Sequence, residues 1–240
     1  MSRPGTLRGV ALLWKGFCYT LGTALLAVIA VQLWFLGHIV YWDIFNPSTT
    51  AFMERRLEAL RVRNGAAALR REWVPYERIS EHLKRAVVAA EDARFLDHEG
   101  FDWQAIQKAM AKNEQRGKVV AGASTISQQL AKNLFLSGER SWPRKAQEAA
   151  ITWMMERTMS KRRILELYLN VAEWGEGVFG AEAAARYHFG VSAAALGPEQ
   201  AAWLAAILPS PRRYERGGIT RYSVERAETI FERMGSAQIP

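Results

Sequence analysis

Between Lys15 and Asp43 the chain runs for 27 residues without a formal charge, through Leu, Val, Ile, Ala, Trp and Phe. At about 1.5 Å of rise per residue, a helix of that length exceeds the roughly 30 Å hydrocarbon core of a bilayer. Arg3, Arg8 and Lys15 precede it with no acidic residue among them. By the positive-inside bias this leaves the amino terminus in the cytoplasm and the chain after Trp42 on the outer side. Trp14, Trp34, Tyr41 and Trp42 fall near the two expected interfaces, where amphipathic rings are favoured. A cleaved signal peptide is the alternative, with Val28-Ile29-Ala30 as a passable cleavage site. The apolar run continues through Trp42, past the core of about 7–15 residues of a signal peptide, and so favours a retained anchor. The chain divides into a basic cytoplasmic tail (1–15), a transmembrane signal-anchor helix (16–42), a juxtamembrane segment (43–75) and a domain over 76–240.

The domain has material for a core, since 49% of the chain is hydrophobic. The single cysteine, Cys18, excludes an internal disulfide framework and a Cys-rich zinc site. Beyond the anchor, 29 Lys and Arg face 24 Asp and Glu. That modest positive excess suits anionic lipid headgroups or a pyrophosphate. Nucleic acid is not an expected partner, because no basic stripe interleaved with aromatics accompanies the membrane segment.

Periodicity after the anchor is helical. A short helix is expected around Phe52 to Val62, stopped by Asn64-Gly65. From Tyr76, Ile79, Leu83, Val87 and Ala90 recur at three- and four-residue spacing up to Glu91. Asp102 can cap a helix carrying Ile106 and Met110, and Thr125 with Gln128 forms a capping box. Later helices are expected after Ser141, Ser160 and Pro198, with Pro209 closing the last of these and a final amphipathic run through Val224, Ala227, Ile230 and Met234. Lys112 to Gly122, with mixed charge and two glycines, reads as a mobile loop. No alternating strand series is visible, so the domain reads as mainly α.

Three groupings can carry chemistry. Glu91 falls beside the apolar stripe of its helix, so its carboxylate is half sheltered, a setting that suits a general base as well as an ordinary helix-end carboxylate. In Gly122-Ala123-Ser124-Thr125-Ile126-Ser127-Gln128-Gln129-Leu130-Ala131-Lys132-Asn133, Ser124, Gln128 and Lys132 line the face opposite Ile126 and Leu130. Such donors beside a helix amino terminus fit sugar hydroxyls and phosphate oxygens, or form a merely solvated face. Arg144 and Glu148 stand one turn apart, either as a surface ion pair worth roughly 0.3–0.5 kcal/mol or as a carboxylate held among cations. His98-Glu99 lacks the second His of a zincin, no Ser precedes a Lys by three residues, and no Gly-Lys-Ser/Thr phosphate loop occurs.

Four motifs stand in order: Glu91-Asp92-x-x-Phe95-x-x-His98-x-Gly100, Gly122-x-Ser124-Thr125-x-x-Gln128-Gln129-x-x-Lys132-Asn133, Arg144-Lys145-x-x-Glu148, and Lys161-x-x-Ile164-Leu165-Glu166-x-Tyr168-Leu169-Asn170. From about Arg85 to Tyr214 the chain resembles the family-51 peptidoglycan glycosyltransferases of the monofunctional, single-domain type. His188 in Tyr187-His188-Phe189-Gly190 departs from the family's usual pattern, and the tail after Tyr214 matches little of it.

The resemblance implies a lysozyme-like helical head with a smaller membrane-associated jaw, for which Phe135, Trp142, Trp153, Met154 and Met155 are the candidates as a group, each of them by itself equally suited to the core. It implies polymerisation of lipid II into β-1,4-linked glycan strands with release of undecaprenyl pyrophosphate, at the outer (periplasmic) face of a bacterial cytoplasmic (inner) membrane. Glu91 then takes the proton of the attacking GlcNAc 4-hydroxyl, and Glu148 is the second catalytic carboxylate. Ser124, Thr125, Gln128, Gln129, Lys132, Asn133, Arg140 and Arg144 bind substrate, with Lys132, Arg140 and Arg144 on the pyrophosphate. No cofactor is expected to be required and no metal-ligand set is assigned, although the family admits a divalent cation (Mg or Mn) near Glu148. The implied partners are lipid II, the growing glycan chain, membrane lipids and other cell-wall synthesis proteins. A muramidase-like hydrolase and a non-catalytic envelope scaffold are the rival readings; a hydrolase has no leaving group for pyrophosphate-binding cations to serve.

Overall fold

A computed structural model describes residues 4–240 apart from 119, 121, 137, 139 and 140, with side chains from Leu12 onward. Among the described residues the chain is mainly α-helical. Helix α1 (Pro4–Ile44) contains the apolar stretch, and Leu12–Ile44 is long and apolar enough to cross a membrane. Leu12, Trp14, Phe17, Leu25 and Leu26 point outward along it, a surface suited to lipid rather than water.

The last turns of α1 pack against the domain. Phe35 and Ile39 are buried, and the helix packs along α6 (Trp142–Thr158). The ring of Phe135 meets those of Trp34, Phe35, His38 and Trp42 at centroid separations of 6.3, 5.3, 6.5 and 4.9 Å. Gln32 and Gln147 exchange two amide hydrogen bonds of 2.9 and 3.0 Å, which satisfies polar groups that would each cost about 1–3 kcal/mol if buried unpaired. Below them the Arg163 guanidinium donates to the carbonyls of Trp42 and Phe45. Deleting residues 1–42 therefore uncovers Phe135 and orphans Gln147. The shortened protein is expected to keep binding liposomes through this apolar surface, and complete loss of binding in a flotation assay would contradict that.

Helix α2 (Ala51–Arg63) is capped by Thr50, whose hydroxyl accepts from the Met53 amide, and stops at Asn64 as the sequence reading has it. A three-stranded sheet follows: β1 (Arg70–Arg71) pairs in parallel with β3 (Val178–Phe179), which pairs antiparallel with β2 (Glu173–Gly175). Strands of two or three residues are too short to display alternation, which is why periodicity did not reveal them.

The helix expected from Tyr76 is in fact a single 3-10 turn at Tyr76–Arg78, followed after a break by α3 (Glu81–Glu91). The break lies at Ser80, whose amide donates to Ala193 O and whose hydroxyl donates to Leu196 O, tying it to another segment. Helix α4 (Trp103–Arg116) begins at the expected Asp102 cap and continues through Lys112–Arg116, which the sequence reading assigned to a loop. Gly117, at φ +61°, ends it in the left-handed conformation. No side chain of α4 is buried, and Trp103 and Met110 project outward.

Helices α5 (Ile126–Phe135), α7 (Lys161–Val171), α8 (Ala181–Phe189), α9 (Pro198–Ile207), α10 (Pro211–Gly217) and α11 (Arg221–Met234) complete the domain. Helices α3, α9 and α11 pack on one another, and α5 packs on α2, α6 and α7. One apolar cluster joins them, with Leu83, Val87, Phe95, Ile126, Leu130, Ile151, Leu165 and Trp174 fully buried. Of the residues expected in a membrane-facing jaw, Met154 and Met155 belong to this core and Phe135 lies under the anchor, whereas Trp142 and Trp153 are exposed. The division follows from α1, which takes one face of α6 and leaves the tryptophan face open.

Gly100 sits at φ +85°, and a Cβ there would lie 2.7 Å from Thr152 Cγ2. Its carbonyl also accepts the Thr125 hydroxyl at 2.7 Å. Gly100→Ala is expected to cost roughly 1–3 kcal/mol through backbone strain and overlap, measured as a lower Tm; an unchanged Tm would contradict this packing.

Candidate active site

Glu91 is the last residue of α3, and its neighbour Asp92 fixes the turn that follows. Asp92 accepts the Ile126 amide at 3.1 Å with one carboxylate oxygen and pairs with His98 Nε2 at 2.9 Å with the other. The end of α3 is thereby joined to the start of α5. Thr125 caps α5, accepting from the Gln128 amide while Gln128 Oε1 accepts from the Thr125 amide. Lys161 braces the same corner by donating to His98 O at 2.6 Å and to Glu156 at 2.9 Å, with its ammonium over the Phe95 ring. Asn170 exchanges two 2.9 Å bonds with the Val74 backbone. Most of the first and fourth motifs thus builds the scaffold that presents Glu91.

The Glu91 side chain is only 10% exposed. Gln129 Nε2 donates to its Oε2 at 2.9 Å, and Arg226 of α11 stands 3.3 Å from its Oε1. Burial pushes its pKa up, opposed by the Gln129 hydrogen bond and then by the charges of Arg226 and Lys132. The result is a carboxylate that is more basic than an ordinary Glu and still held as an acceptor.

Beside it opens a cleft of about 700 Å³, lined by Ser124 just before α5, by Gln128, Gln129, Lys132 and Asn133 on α5 and by Arg144, Lys145 and Glu148 on α6. Phe52, Arg55 and Arg56 of α2, Tyr168, Glu173, Arg212 and Arg213 complete the wall. Glu148 is 4% exposed and pairs with Arg144 at 2.9 Å and with Lys145; it is no surface ion pair. Lys132 lines the cleft and stays exposed within it, and the partial loss of solvent there lowers its pKa. Glu148 opposes that most strongly, Arg144 and Lys145 reinforce it, and Glu91 opposes it weakly. The Lys132 charge thus interacts with both carboxylates. The cations greatly outnumber Glu148 and Glu173, a balance suited to a polyanion.

The structure brings together Ser124, Gln128, Gln129, Lys132, Asn133, Arg144 and Glu148 on one wall. Glu91 stands one hydrogen bond behind it, beyond Gln129. Thr125 is buried in its capping role and lies off the wall, and Arg140 lies outside the described residues. Sequence reasoning missed Arg226, Arg56, Arg212 and Arg213. Arg226 is 135 residues from Glu91 in the chain, and no local pattern could link them. Among the described residues no group of three or more His, Cys, Asp or Glu side chains is arranged to hold a metal ion.

Residues 58–235 match the family model described as transglycosylase. A biosynthetic peptidoglycan transglycosylase of Nitrosospira multiformis is 58% identical over 228 residues, spanning 95% of this chain and 97% of the relative. Those of Methylobacillus flagellatus and Azoarcus sp. are 56% and 58% identical, spanning 95% and 92% of this chain and 98% and 96% of theirs.

Proposed function

The chain belongs to the transglycosylase family, and from that membership we propose that it polymerises lipid II into β-1,4-linked peptidoglycan strands, with release of undecaprenyl pyrophosphate. The observation that supports the chemistry is the buried Glu91 carboxylate, held by Gln129 and Arg226 beside a cation-lined cleft. Glu91 accepts the proton of the attacking GlcNAc 4-hydroxyl as that oxygen forms its bond to C1 of the donor sugar. The C1–pyrophosphate bond breaks with inversion, and the developing negative charge meets Lys132 and Arg144, with Arg140 assigned alongside them by the family resemblance. Glu148 holds Arg144 and Lys145 in place, so its part is to orient the cations. In this reading the domain works at the inner membrane with its catalytic part on the periplasmic face, within reach of a lipid-linked substrate; the apolar helix Leu12–Ile44 and the basic residues before it support that orientation.

No metal is required in this reading. Both Glu148 oxygens already face cations, and a divalent ion there would first have to displace Lys145 or Arg144. Polymerisation in excess chelator is expected to continue; a loss restored by Mg or Mn would overturn this point.

The test is the pH dependence of polymerisation with purified protein and labelled lipid II. Glu91 works deprotonated and its pKa is raised, so the acid limb is expected above the ordinary carboxylate range. Lys132 works protonated and its pKa is lowered, so the alkaline limb is expected below the ordinary lysine range. A rate that does not change with pH across both ranges would contradict these roles.

A further inference from the structure

We infer that Tyr168 is a positioning residue for the proposed base, acting through Gln129: its phenol fixes the orientation of the Gln129 amide so that the NH₂ group, not the oxygen, faces Glu91. The inference rests on the reading of Glu91 as the proton acceptor.

The Tyr168 hydroxyl donates to Gln129 Oε1 at 2.9 Å, and Gln129 Nε2 donates to Glu91 Oε2 at 2.9 Å. A side-chain amide can present either end to a neighbour, and the two ends have opposite preferences. The ionised carboxylate can only accept and so demands the NH₂ end, while the phenol, free to donate or accept, donates to Oε1 and ties the amide down in that orientation. The reverse orientation would set the amide oxygen against the Glu91 carboxylate, and Glu91 would lose a donor and favour its protonated form. Gln129 Nε2 also lies 3.5 Å from Ser124 O, which favours the same orientation. The Gln129 amide, assigned to substrate from the sequence, is thus occupied on both ends by the protein.

Position 168 is 1% exposed within the core of α7, where a phenylalanine would fill the same space. Burial and the negative charges of Glu91 and Asp92 push the Tyr168 pKa well above its ordinary value, so the hydroxyl remains a donor throughout the working pH range. The charged groups acting on Glu91 are Asp92 on its own element, Lys132 from α5 and Arg226 from α11. None of these is altered when the phenol oxygen alone is removed.

The experiment compares pH profiles of kcat/KM for lipid II polymerisation by the full-length protein in detergent. Tyr168→Phe is expected to move the acid limb up by roughly one pH unit, with the rate lost at neutral pH recovered at higher pH. Gln129→Leu is expected to move it at least as far, and Tyr168→Phe combined with Gln129→Leu no further than Gln129→Leu alone, because the phenol acts only through the amide. A Tyr168→Phe profile with an unmoved acid limb, or a loss uniform at every pH, overturns the inference, as do additive shifts in the double variant. Glu91→Gln run in parallel separates the two claims: wild-type rates from it defeat the reading of Glu91 as base, whatever Tyr168 does.

Discussion

Glu91→Gln is expected to reduce glycan polymerisation by about 10²–10⁴-fold, the usual contribution of a positioned general base. The substitution keeps the shape of the side chain and removes the basic oxygen, so the loss belongs to proton transfer rather than to folding. Stability provides the control. The folded-state pKa of Glu91 is raised, so the unfolded chain ionises first and stability falls as pH rises between the two pKa values. At neutral pH the ionised carboxylate is a cost to the fold, and its removal is expected to leave Tm unchanged or higher. A large fall in Tm would assign Glu91 a structural role instead.

Lys132→Met is expected to lower kcat for polymerisation by about 10²–10³-fold, in line with the loss of one fixed group that stabilises developing negative charge. Methionine keeps most of the stem and removes the ammonium. The folded pKa of Lys132 is lowered, so the folded chain gives up its proton first, and stability rises with pH between the folded and unfolded values. Below that window the charge does not support the fold, so little change in Tm is expected. An unaltered rate would remove Lys132 from the chemistry and weaken the case for a pyrophosphate in the cleft.

Much of this site could be read along the chain because local rules produced it. The Asp102 cap, the Thr125–Gln128 capping box and the Ser141 and Ser160 helix starts all stand where the spacing puts them. The half-sheltered position of Glu91 likewise followed from the stripe through Leu83 and Val87. What could not be read depends on contacts between distant segments. The two carboxylates differ in their neighbours: Glu148 draws its cations from its own helix at three and four residues, whereas Glu91 draws Arg226 from α11 and its amide from α5. Spacing shows the first arrangement and says nothing of the second.

The anchor teaches the same lesson. Hydrophobic length marks a helix able to span a bilayer, but length cannot tell which turns pack on protein. The Gln32–Gln147 pair and the rings around Phe135 decide that. By packing along α6, the anchor holds the helix that carries Arg144, Lys145 and Glu148. The helix apolar enough to cross a membrane and the cleft wall on α6 are therefore packed together.

The measurement that tests the central claim most directly is product analysis. Purified full-length protein in detergent is incubated with labelled lipid II, and the products are separated by length and then digested with a muramidase. Strands of many disaccharide units that the muramidase cuts down are the predicted result, with Glu91→Gln yielding none. Release of free disaccharide without polymer, or no conversion of lipid II under conditions where the protein is folded, would contradict the account.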